Sequence, residues 1–516
     1  MVLLLLNMSA LANHPCGTLE HLRQLEPNAL QFQPIEDTEG LRSSKDEREA
    51  QAPLPNSQSS ANFIVKWNGN LNGDAINRLL DAFEESWAVE IDALGHPAPA
   101  GTDQYLFNIY IGDTGGNAPS SYGAAGYFTL DNAYFPMIVV GKGTLENPEY
   151  ADITAAHEFY HAIQAKTERY SYDESSPGAW LWESTATWAS AEVYPDNLYY
   201  SSFLFSYALY PNYPLDYFNY PDTGTIDEYY QYGSFIFPLD VSQQLGGDLV
   251  REVWLDTTNE PDPVEVFRGL MFEQGVDFDS FFMDHSARMS QYDFPYGALY
   301  EEYVEDVSGS FGVSGDTVAA VHSGEGTGGW VDLPSSQPLH RYGYSIIRLN
   351  NPTEQAYQVF IDGDNVSNMG QVAFYGARLA VDSGGDLNYV DLTVDGEANL
   401  VDGITADATL TLVIGAWSRD WSPGANEAFS FSYAIVGDDW VDPGAEPAGE
   451  PSGEPSSEPS DEQSVDTETE LSVEASKVGC GCQSNQVPLT STVGFLAGLM
   501  IWSRRRRLDD EQYLSI

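Results

Sequence analysis

The stretch ADITAAHEFYHAIQAKTERY, residues 151–170, decides how the rest of the chain is interpreted. In it, His157 and His161 are four residues apart, and Glu158 directly follows the first histidine. On a helix, residues i and i+4 lie on one face, so the two imidazoles could converge on one metal ion. Glu158 would lie beside that metal, where it could accept a proton from a metal-bound water. The alternatives are a surface helix that carries two histidines incidentally, and a metal site without hydrolytic activity.

The same region predicts two helices. Residues 154–169 lack Gly and Pro, and Asp152 or Thr154 could cap the start of this helix. A second helix is predicted to begin near Trp180, and it contains Glu183 among tryptophans and small residues. A glutamate in such a segment is expensive to bury unless something pairs with it. Since catalytic zinc needs a third protein ligand and one open position, Glu183 is the candidate third ligand.

The overall charge excludes one class of partner. The 516 residues include 21 Lys and Arg against 78 Asp and Glu, which gives a formal net charge of −57. Such a surface repels phosphate backbones, so we expect no nucleic-acid partner. The acidity is typical of a highly solvated exported protein, and it leaves calcium binding open as a second cation role beside zinc. The three cysteines are Cys16, Cys480 and Cys482, so the sequence predicts no disulfide framework in the folded core.

The N-terminus indicates export. Residues 1–12 contain a short apolar run followed by Ala10-Leu11-Ala12, an A-x-A cleavage pattern, and are predicted to be a signal peptide. A disordered or buried N-terminal end is the alternative, because the segment is short and has no Lys or Arg before the apolar run. Residues 13–61 are a polar leader or pro-segment, and the sequence does not distinguish these two roles.

The middle of the chain predicts an α+β fold in two domains. Residues 62–331 show strands around one helix, then the two helices above and further helices, which indicates a mixed sheet followed by a helical half. Residues 332–440 contain strand patterns at regular spacing, broken by Gly, Asp and Asn, which indicates an all-β sandwich with an accessory role.

The C-terminus predicts an anchor. Residues 441–478 are an acidic linker rich in Pro, Glu and Ser. Residues 479–516 then contain a Gly-Cys motif around Cys480 and Cys482. The apolar run Val487–Trp502 and four arginines follow this motif. This order resembles the MYXO-CTERM sorting tail of surface proteins. The resemblance implies a processing enzyme that acts near the two cysteines and can remove the membrane segment. It also implies a location at the cell surface or outer membrane, or release from the cell. A plain single-pass transmembrane helix is the alternative.

The site motif carries a second resemblance. HEFYH followed by a glutamate on a second helix resembles the gluzincin zinc metallopeptidases, and AAHEFYHAIQA with WLWESTATWASAEVYP is similar to the MXAN_6640 family of metalloproteases. The resemblance implies a zincin-like catalytic domain in which His157, His161 and Glu183 bind zinc and Glu158 is the general base. It also implies that an edge strand, either AGYFTLD (125–131) or FPMIVVG (135–141), binds substrate in extended form.

Two positions of the site remain open in the sequence. Thr187 stands where thermolysin-like enzymes have an Asp that orients a ligand histidine, so Gln164, Thr187 or a backbone carbonyl would have to orient it here. The donor that stabilises an oxyanion is predicted to be Tyr232, with His285 as the alternative.

These observations predict an exported, cell-surface zinc endopeptidase, a hydrolase that cleaves protein or peptide substrates through a zinc-activated water. Two alternatives remain open. One is a surface-anchored adhesion protein with a catalytically degenerate zincin scaffold. The other is a zinc hydrolase acting on a bond other than a peptide bond.

Overall fold

The computed structural model describes residues 16, 18, 45–48, 53–173, 175–219, 225–310, 320–419 and 427–441. The chain divides into one unit, Met1–Ala445, and a second unit, Glu446–Ile516, and all described residues belong to the first. This unit combines helices with several sheets and is therefore α+β, as the sequence predicts. The predicted signal peptide, the linker from residue 442 onward and the predicted C-terminal anchor lie outside the described residues.

A five-stranded mixed sheet opens the fold. Its strands are β1 (Asn56–Ser59), β2 (Phe63–Trp67), β3 (Phe107–Gly112), β4 (Gly126–Leu130) and β5 (Pro136–Gly141). They lie in the order β1-β2-β3-β5-β4, in which β2, β3 and β5 are parallel while β1 and β4 are antiparallel to their neighbours. The three parallel strands are almost continuously apolar and buried, as expected of strands covered on both faces. Of the two candidate edge strands, β4 forms the edge and β5 lies inside the sheet.

Part of the predicted leader belongs to this sheet. β1 falls within residues 13–61, and its sequence NSQS lacks the apolar alternation by which a strand is recognised. Residues 45–48 also pack against the sheet, where the backbone oxygen of Arg48 accepts hydrogen bonds from Lys66 Nζ (2.8 Å) and Asn108 Nδ2 (3.1 Å). The domain therefore begins before residue 62.

Two long helices pack against the sheet. Helix α1 (Gly73–Ser86), which continues into the π-helical turn Trp87–Ala93, precedes β3, and α2 (Pro148–Thr167) follows β5. The predicted caps of α2, Asp152 and Thr154, are wrong. Asn147 caps the helix by accepting a hydrogen bond from the backbone N–H of Tyr150, and Pro148 occupies the first turn. Proline is favoured there because no backbone N–H is needed at that position.

Helix α3 (Ala179–Val193) packs against α2 in the centre of the helical half. Both helices are buried over most of their length, and buried small side chains such as Ala155, Ala162, Ala186 and Ala189 allow backbones to approach closely. The remaining α-helices are α4 (Leu204–Leu209), α5 (Tyr230–Gly233), α6 (Ile236–Leu245), α7 (Gly247–Leu255), α8 (Pro263–Glu273), α9 (Phe278–Gln291) and α10 (Gly297–Ser310). Short 3-10 helices cover Lys142–Glu146, Leu198–Phe203 and Ile226–Tyr229.

Two further sheets face each other across a second apolar core. Their strands are β6 (Ala320–His322), β7 (Val331–Asp332), β8 (Gly343–Asn350), β9 (Ala356–Gly363), β10 (Phe374–Ser383), β11 (Asp386–Leu392), β12 (Asn399–Asp402), β13 (Ala408–Trp417) and β14 (Phe431–Gly437). The orders are β11-β10-β13-β8-β6 and β12-β9-β14-β7. The sequence places this domain at 332–440, but β6 and the first residue of β7 precede residue 332. Both strands are short and partly exposed, so they carry little apolar pattern.

A buried arginine joins the sandwich to the helices. Arg341, just before β8, pairs with Asp216 (3.1 Å) and with Asp262 (2.7 Å), and all three side chains are at most 5% exposed. Asp262 also caps α8 by accepting a hydrogen bond from the backbone N–H of Val264. The two carboxylates raise the pKa of Arg341 above its usual range, although burial acts in the opposite direction.

Within the described residues, no helix is both long enough and apolar enough to cross a bilayer.

We expect Arg341→Ala to lower the free energy of unfolding by about 3–5 kcal/mol, because removing one partner of a buried ion pair leaves uncompensated charge. Urea denaturation followed by circular dichroism measures this. The control is Arg419→Ala, since Arg419 is 43% exposed where it pairs with Asp279 at 2.7 Å. Exposed pairs contribute about 1 kcal/mol or less. Equal losses in the two variants would contradict the structural role given to Arg341.

Candidate metal centre

Three predicted ligands converge between α2 and α3. His157 and His161 lie one turn apart on α2, and their Nε2 atoms are 3.1 Å from each other. Glu183, in the first turns of α3, places Oε2 3.0 Å from Nε2 of His157 and 3.5 Å from Nε2 of His161. Glu183 and His161 are fully buried, and His157 is 9% exposed.

A fourth side chain, Cys16, completes the cluster. Its Sγ lies 3.4 Å from Nε2 of His161, and the ligand atoms of Cys16, His157, His161 and Glu183 all lie within 4.8 Å of one another. Cys16 is buried and is not in a disulfide. The sequence does not reveal this residue as a ligand, because Cys16 lies far before His157 in the chain and no spacing motif connects them.

These distances fit one tetrahedral ion. With bonds of about 2.0–2.1 Å to N or O and about 2.3 Å to S, tetrahedral geometry separates N or O ligand atoms by about 3.3 Å, and S from N by about 3.5 Å. The separations of 3.0, 3.1 and 3.5 Å among the N and O atoms, and 3.4 Å for the sulfur, lie close to these values. Oε1 of Glu183 is buried and has no hydrogen-bond partner among the described residues. The donor set therefore fits a metal ion.

Gln164 orients His161. Its Nε2 donates hydrogen bonds to the backbone oxygen of Trp182 (2.8 Å) and to Oγ1 of Thr185 (3.0 Å), so its Oε1 faces Nδ1 of His161 at 2.6 Å. An amide oxygen only accepts, so Nδ1 of His161 carries a hydrogen, and in the neutral ring the Nε2 lone pair is directed into the cluster. Among the three candidates that the sequence offers for this role, Gln164 is in contact with a ligand histidine. Thr187 lines the adjacent cleft.

The charges of the cluster depend on one another. Burial acts to raise the pKa of Glu183, but the imidazoles of His161 and His157 outweigh it and bring the pKa to about 2. Burial likewise acts to lower the pKa of His161, and the Glu183 carboxylate reverses this and raises it. Burial, together with Glu158 and Glu183, raises the pKa of the Cys16 thiol well above its usual range. A thiolate at this position therefore needs a cation beside it, and a metal ion would supply one.

Glu158 lies beside the cluster, next to the edge strand β4. Burial raises the pKa of its carboxyl above the usual range, although the two histidines and a hydrogen bond from Thr18 act to lower it. Gly126, the first residue of β4, makes this close approach possible. A Cβ atom there would lie 2.9 Å from Cγ of Glu158 and 2.9 Å from Cγ2 of Thr154, closer than real Cβ contacts. Gly126 is therefore a second site residue that the sequence does not reveal.

A cleft adjoins His157 and Glu158. Its walls are largely aromatic and apolar, formed by Tyr150, Ile153, Tyr199, Tyr200, Phe203 and Tyr232. Tyr232, the predicted oxyanion donor, lies on α5 with its ring stacked against His157 at a centroid distance of 6.2 Å. The alternative donor, His285, instead bonds Asp240 through Nδ1 (2.8 Å) and Tyr207 through Nε2 (3.2 Å) inside the core, and it does not line the cleft.

Comparison with known proteins places the chain in a family but not in a functional class. The profile of a family of unknown function, DUF6055, matches residues 32–383. This range holds His157, Glu158, His161, Glu183 and Tyr232 but not Cys16. No curated protein matches the chain significantly.

We expect Glu183→Ala to remove the bound metal, because it deletes an anionic ligand from a buried site. The loss of affinity should exceed the about 10–100-fold typical of changes to outer-shell partners. Metal content after dialysis, measured by inductively coupled plasma mass spectrometry, checks this. The control is His322→Ala, since His322 is a partly buried histidine of the sandwich that contacts Tyr433. Full metal content in Glu183→Ala would mean that another residue is the third ligand.

Gln164→Ala tests the orientation of His161. We expect metal affinity to fall by about 10–100-fold, with the stoichiometry at saturating metal unchanged. Competition with a chromophoric chelator measures the affinity. Gln164→Glu, which keeps an acceptor but loses the hydrogen bonds donated to Trp182 and Thr185 and adds a negative charge, should recover only part of it. An unchanged affinity in Gln164→Ala would contradict the role of this hydrogen bond.

Proposed function

We propose that this chain, which belongs to the DUF6055 family of unknown function, is a zinc-dependent endopeptidase with a zincin-like active site. The supporting observation is the convergence of His157, His161 and Glu183 on one point, with Glu158 beside it at the mouth of a cleft. Two ligands and a base on one helix, with the third ligand on the next, supply the groups that metal-assisted hydrolysis requires.

The donor set favours zinc over calcium. Two imidazole nitrogens, one carboxylate oxygen and a sulfur are ligands that zinc accepts in tetrahedral sites, whereas calcium takes six or more oxygen ligands. The chemistry that zinc supplies in such sites is a lowered pKa for a coordinated water molecule and polarisation of a carbonyl group.

The residues of the chain have separate roles in the proposed reaction. Glu158 accepts the proton of the attacking water, and its raised pKa suits a carboxylate that must later release that proton to the leaving amine. Tyr232, whose ring stacks on His157 in the cleft wall, is the proposed donor to the oxygen that gains negative charge. Gln164 keeps His161 in the tautomer that binds metal.

The substrate is proposed to be a protein or peptide bound in extended form. β4 is the edge of the sheet and lies directly beside Glu158, so a peptide could add to it as a further strand. The aromatic cleft beside His157 and Glu158 would accept an apolar side chain of that peptide. The accompanying proposals are that the enzyme is exported and held at the cell surface or outer membrane, and that its C-terminal segment is processed near Cys480 and Cys482. The large negative charge and the two terminal patterns support them.

An adhesion protein with a degenerate site is less well supported. A degenerate site would be expected to have lost a ligand or the base, and all four groups are present and buried. The proposal of a peptide bond rather than another scissile bond rests on the edge strand β4, with which an extended peptide could pair.

We expect Glu158→Gln to lower kcat/KM for casein or gelatin by about 10²–10⁴-fold, because it removes the proton acceptor. Metal content should not change. The control is Glu149→Gln, a glutamate in the first turn of the same helix α2, away from the metal ligands. Since Cys16 lies at the fourth ligand position, the comparison is made in both the wild-type and the Cys16→Ala backgrounds. Proteolysis that survives in Glu158→Gln would eliminate the proposed mechanism, and bound zinc without proteolysis in any background would favour the adhesion alternative.

A further inference from the structure

Two residues near the N-terminus, Cys16 and Thr18, lie inside the candidate active site. Both are buried, with exposures of 5% and 0%. The backbone N–H of Thr18 also donates a hydrogen bond to Sγ of Cys16 (3.4 Å), so the two residues contact each other. Both contact Glu158 and β4, and Cys16 also contacts the metal ligand His161.

Cys16 lies at the fourth ligand position. Its Sγ lies 3.4 Å from Nε2 of His161 and 3.7 Å from Oε2 of Glu158. A catalytic zinc site keeps one position open for water or substrate, whereas a structural site is closed by four protein ligands. With Cys16 in place, the site is closed, although the base and the cleft of a catalytic site lie next to it.

Thr18 contacts the base and the edge strand. Its Oγ1 donates a hydrogen bond to Oε2 of Glu158 (2.9 Å) and accepts one from the backbone N–H of Phe128 on β4 (2.8 Å). Cys16 itself forms a parallel bridge with Gly126, the first residue of β4. Cys16 and Thr18 therefore use the same backbone edge that an extended substrate would need.

We infer that Cys16 and Thr18 form a self-inhibitory plug, in which Cys16 fills the open metal position and Thr18 occupies Glu158 and β4. The inhibitory role of these two residues rests on the proposed function, whereas their contacts with the site do not. Activation would be ligand exchange: the Cys16 thiolate would accept a proton from the incoming water molecule and leave as a thiol, and the remaining hydroxide would occupy the vacated position. No oxidant or reductant is involved. Cleavage of the chain after Thr18 would make the change permanent, whereas withdrawal of Cys16 and Thr18 from the site would make it reversible.

The first test is spectroscopic and uses the full chain loaded with Co²⁺. We expect the wild type to show a near-ultraviolet sulfur-to-cobalt charge-transfer band, and Cys16→Ala to bind one Co²⁺ without that band. Acetohydroxamate, a small metal ligand, should shift the visible spectrum of Cys16→Ala and leave that of the wild type unchanged. The control is Cys480→Ser/Cys482→Ser, which removes the other two cysteines and should keep the band.

The second test is hydrolysis of a peptide substrate by the zinc-loaded chain. The hydrolysis rate of Cys16→Ala should exceed that of the wild type by at least about tenfold. A wild-type site that is open a tenth of the time or less shows only that fraction of its full activity. Thr18→Val, which keeps the ligand but loses the hydrogen bond to Glu158, should keep the charge-transfer band and show a smaller gain.

The outcomes separate the two proposals. A band that is absent from the wild type, or that persists in Cys16→Ala, overturns the inference whatever the activity. Loss of metal and of folded structure in Cys16→Ala also overturns it, because Cys16 would then be a permanent structural ligand. If the band and the acetohydroxamate response behave as expected but no form cleaves peptides, the blocked metal position is supported and the peptidase proposal fails.

Discussion

The close approach of two imidazole nitrogens beside a buried carboxylate is the constraint on which the centre of the molecule depends. The Nε2 atoms of His157 and His161 are 3.1 Å apart, and Oε2 of Glu183 lies 3.0 Å from the first of them. An ionised carboxylate in a dry interior is costly unless a positive charge compensates it. The histidines compensate only when protonated, and then they cannot bind metal. A divalent cation would satisfy the two imidazole nitrogens and the carboxylate at once. The same convergence of side chains therefore determines both how α2 packs against α3 and what chemistry the site can support.

This packing needs small residues at particular points. Gly126 lets β4 approach α2 so closely that Glu158 lies against the backbone of the edge strand. Gly178, just before α3, lies where a Cβ would be 2.7 Å from Cβ of Tyr170, so the return from α2 to α3 also depends on a missing side chain. A larger residue at either place would push apart the elements that carry the base and the third ligand. The precision of the site is thus set by backbone contacts as much as by the ligands themselves.

The sequence predicts the parts of the site whose spacing is local. The four-residue interval of His157 and His161 is a helical turn, and Glu183 follows on the next helix, so their order along the chain is enough to group the three. The sequence does not predict Cys16 as a ligand, because it lies 145 residues before His161 and only the fold brings the two side chains into contact. The polar strand β1 falls in the predicted leader for a related reason: its place in the sheet comes from pairing with β2, and its own residues give no apolar pattern. The predicted start of α2 is too late because the helix begins at Pro148 and is capped by the side chain of Asn147, and both residues precede the segment 154–169 on which the prediction rests.

Gln164, the uncharged side chain that contacts His161, suits a site that already holds several acidic groups. Glu158, Glu183 and Cys16 already bring three groups that can be anionic within a few ångströms of one another. An aspartate in contact with a ligand histidine would add a fourth acid to this dry volume and would oppose the ionisation of the other three. Gln164 supplies the same hydrogen-bond acceptor without the charge, and its amide is held by Trp182 and Thr185 so that it cannot turn. The position held by Thr187 is therefore free to line the cleft, because the residue that orients His161 lies on its own helix α2.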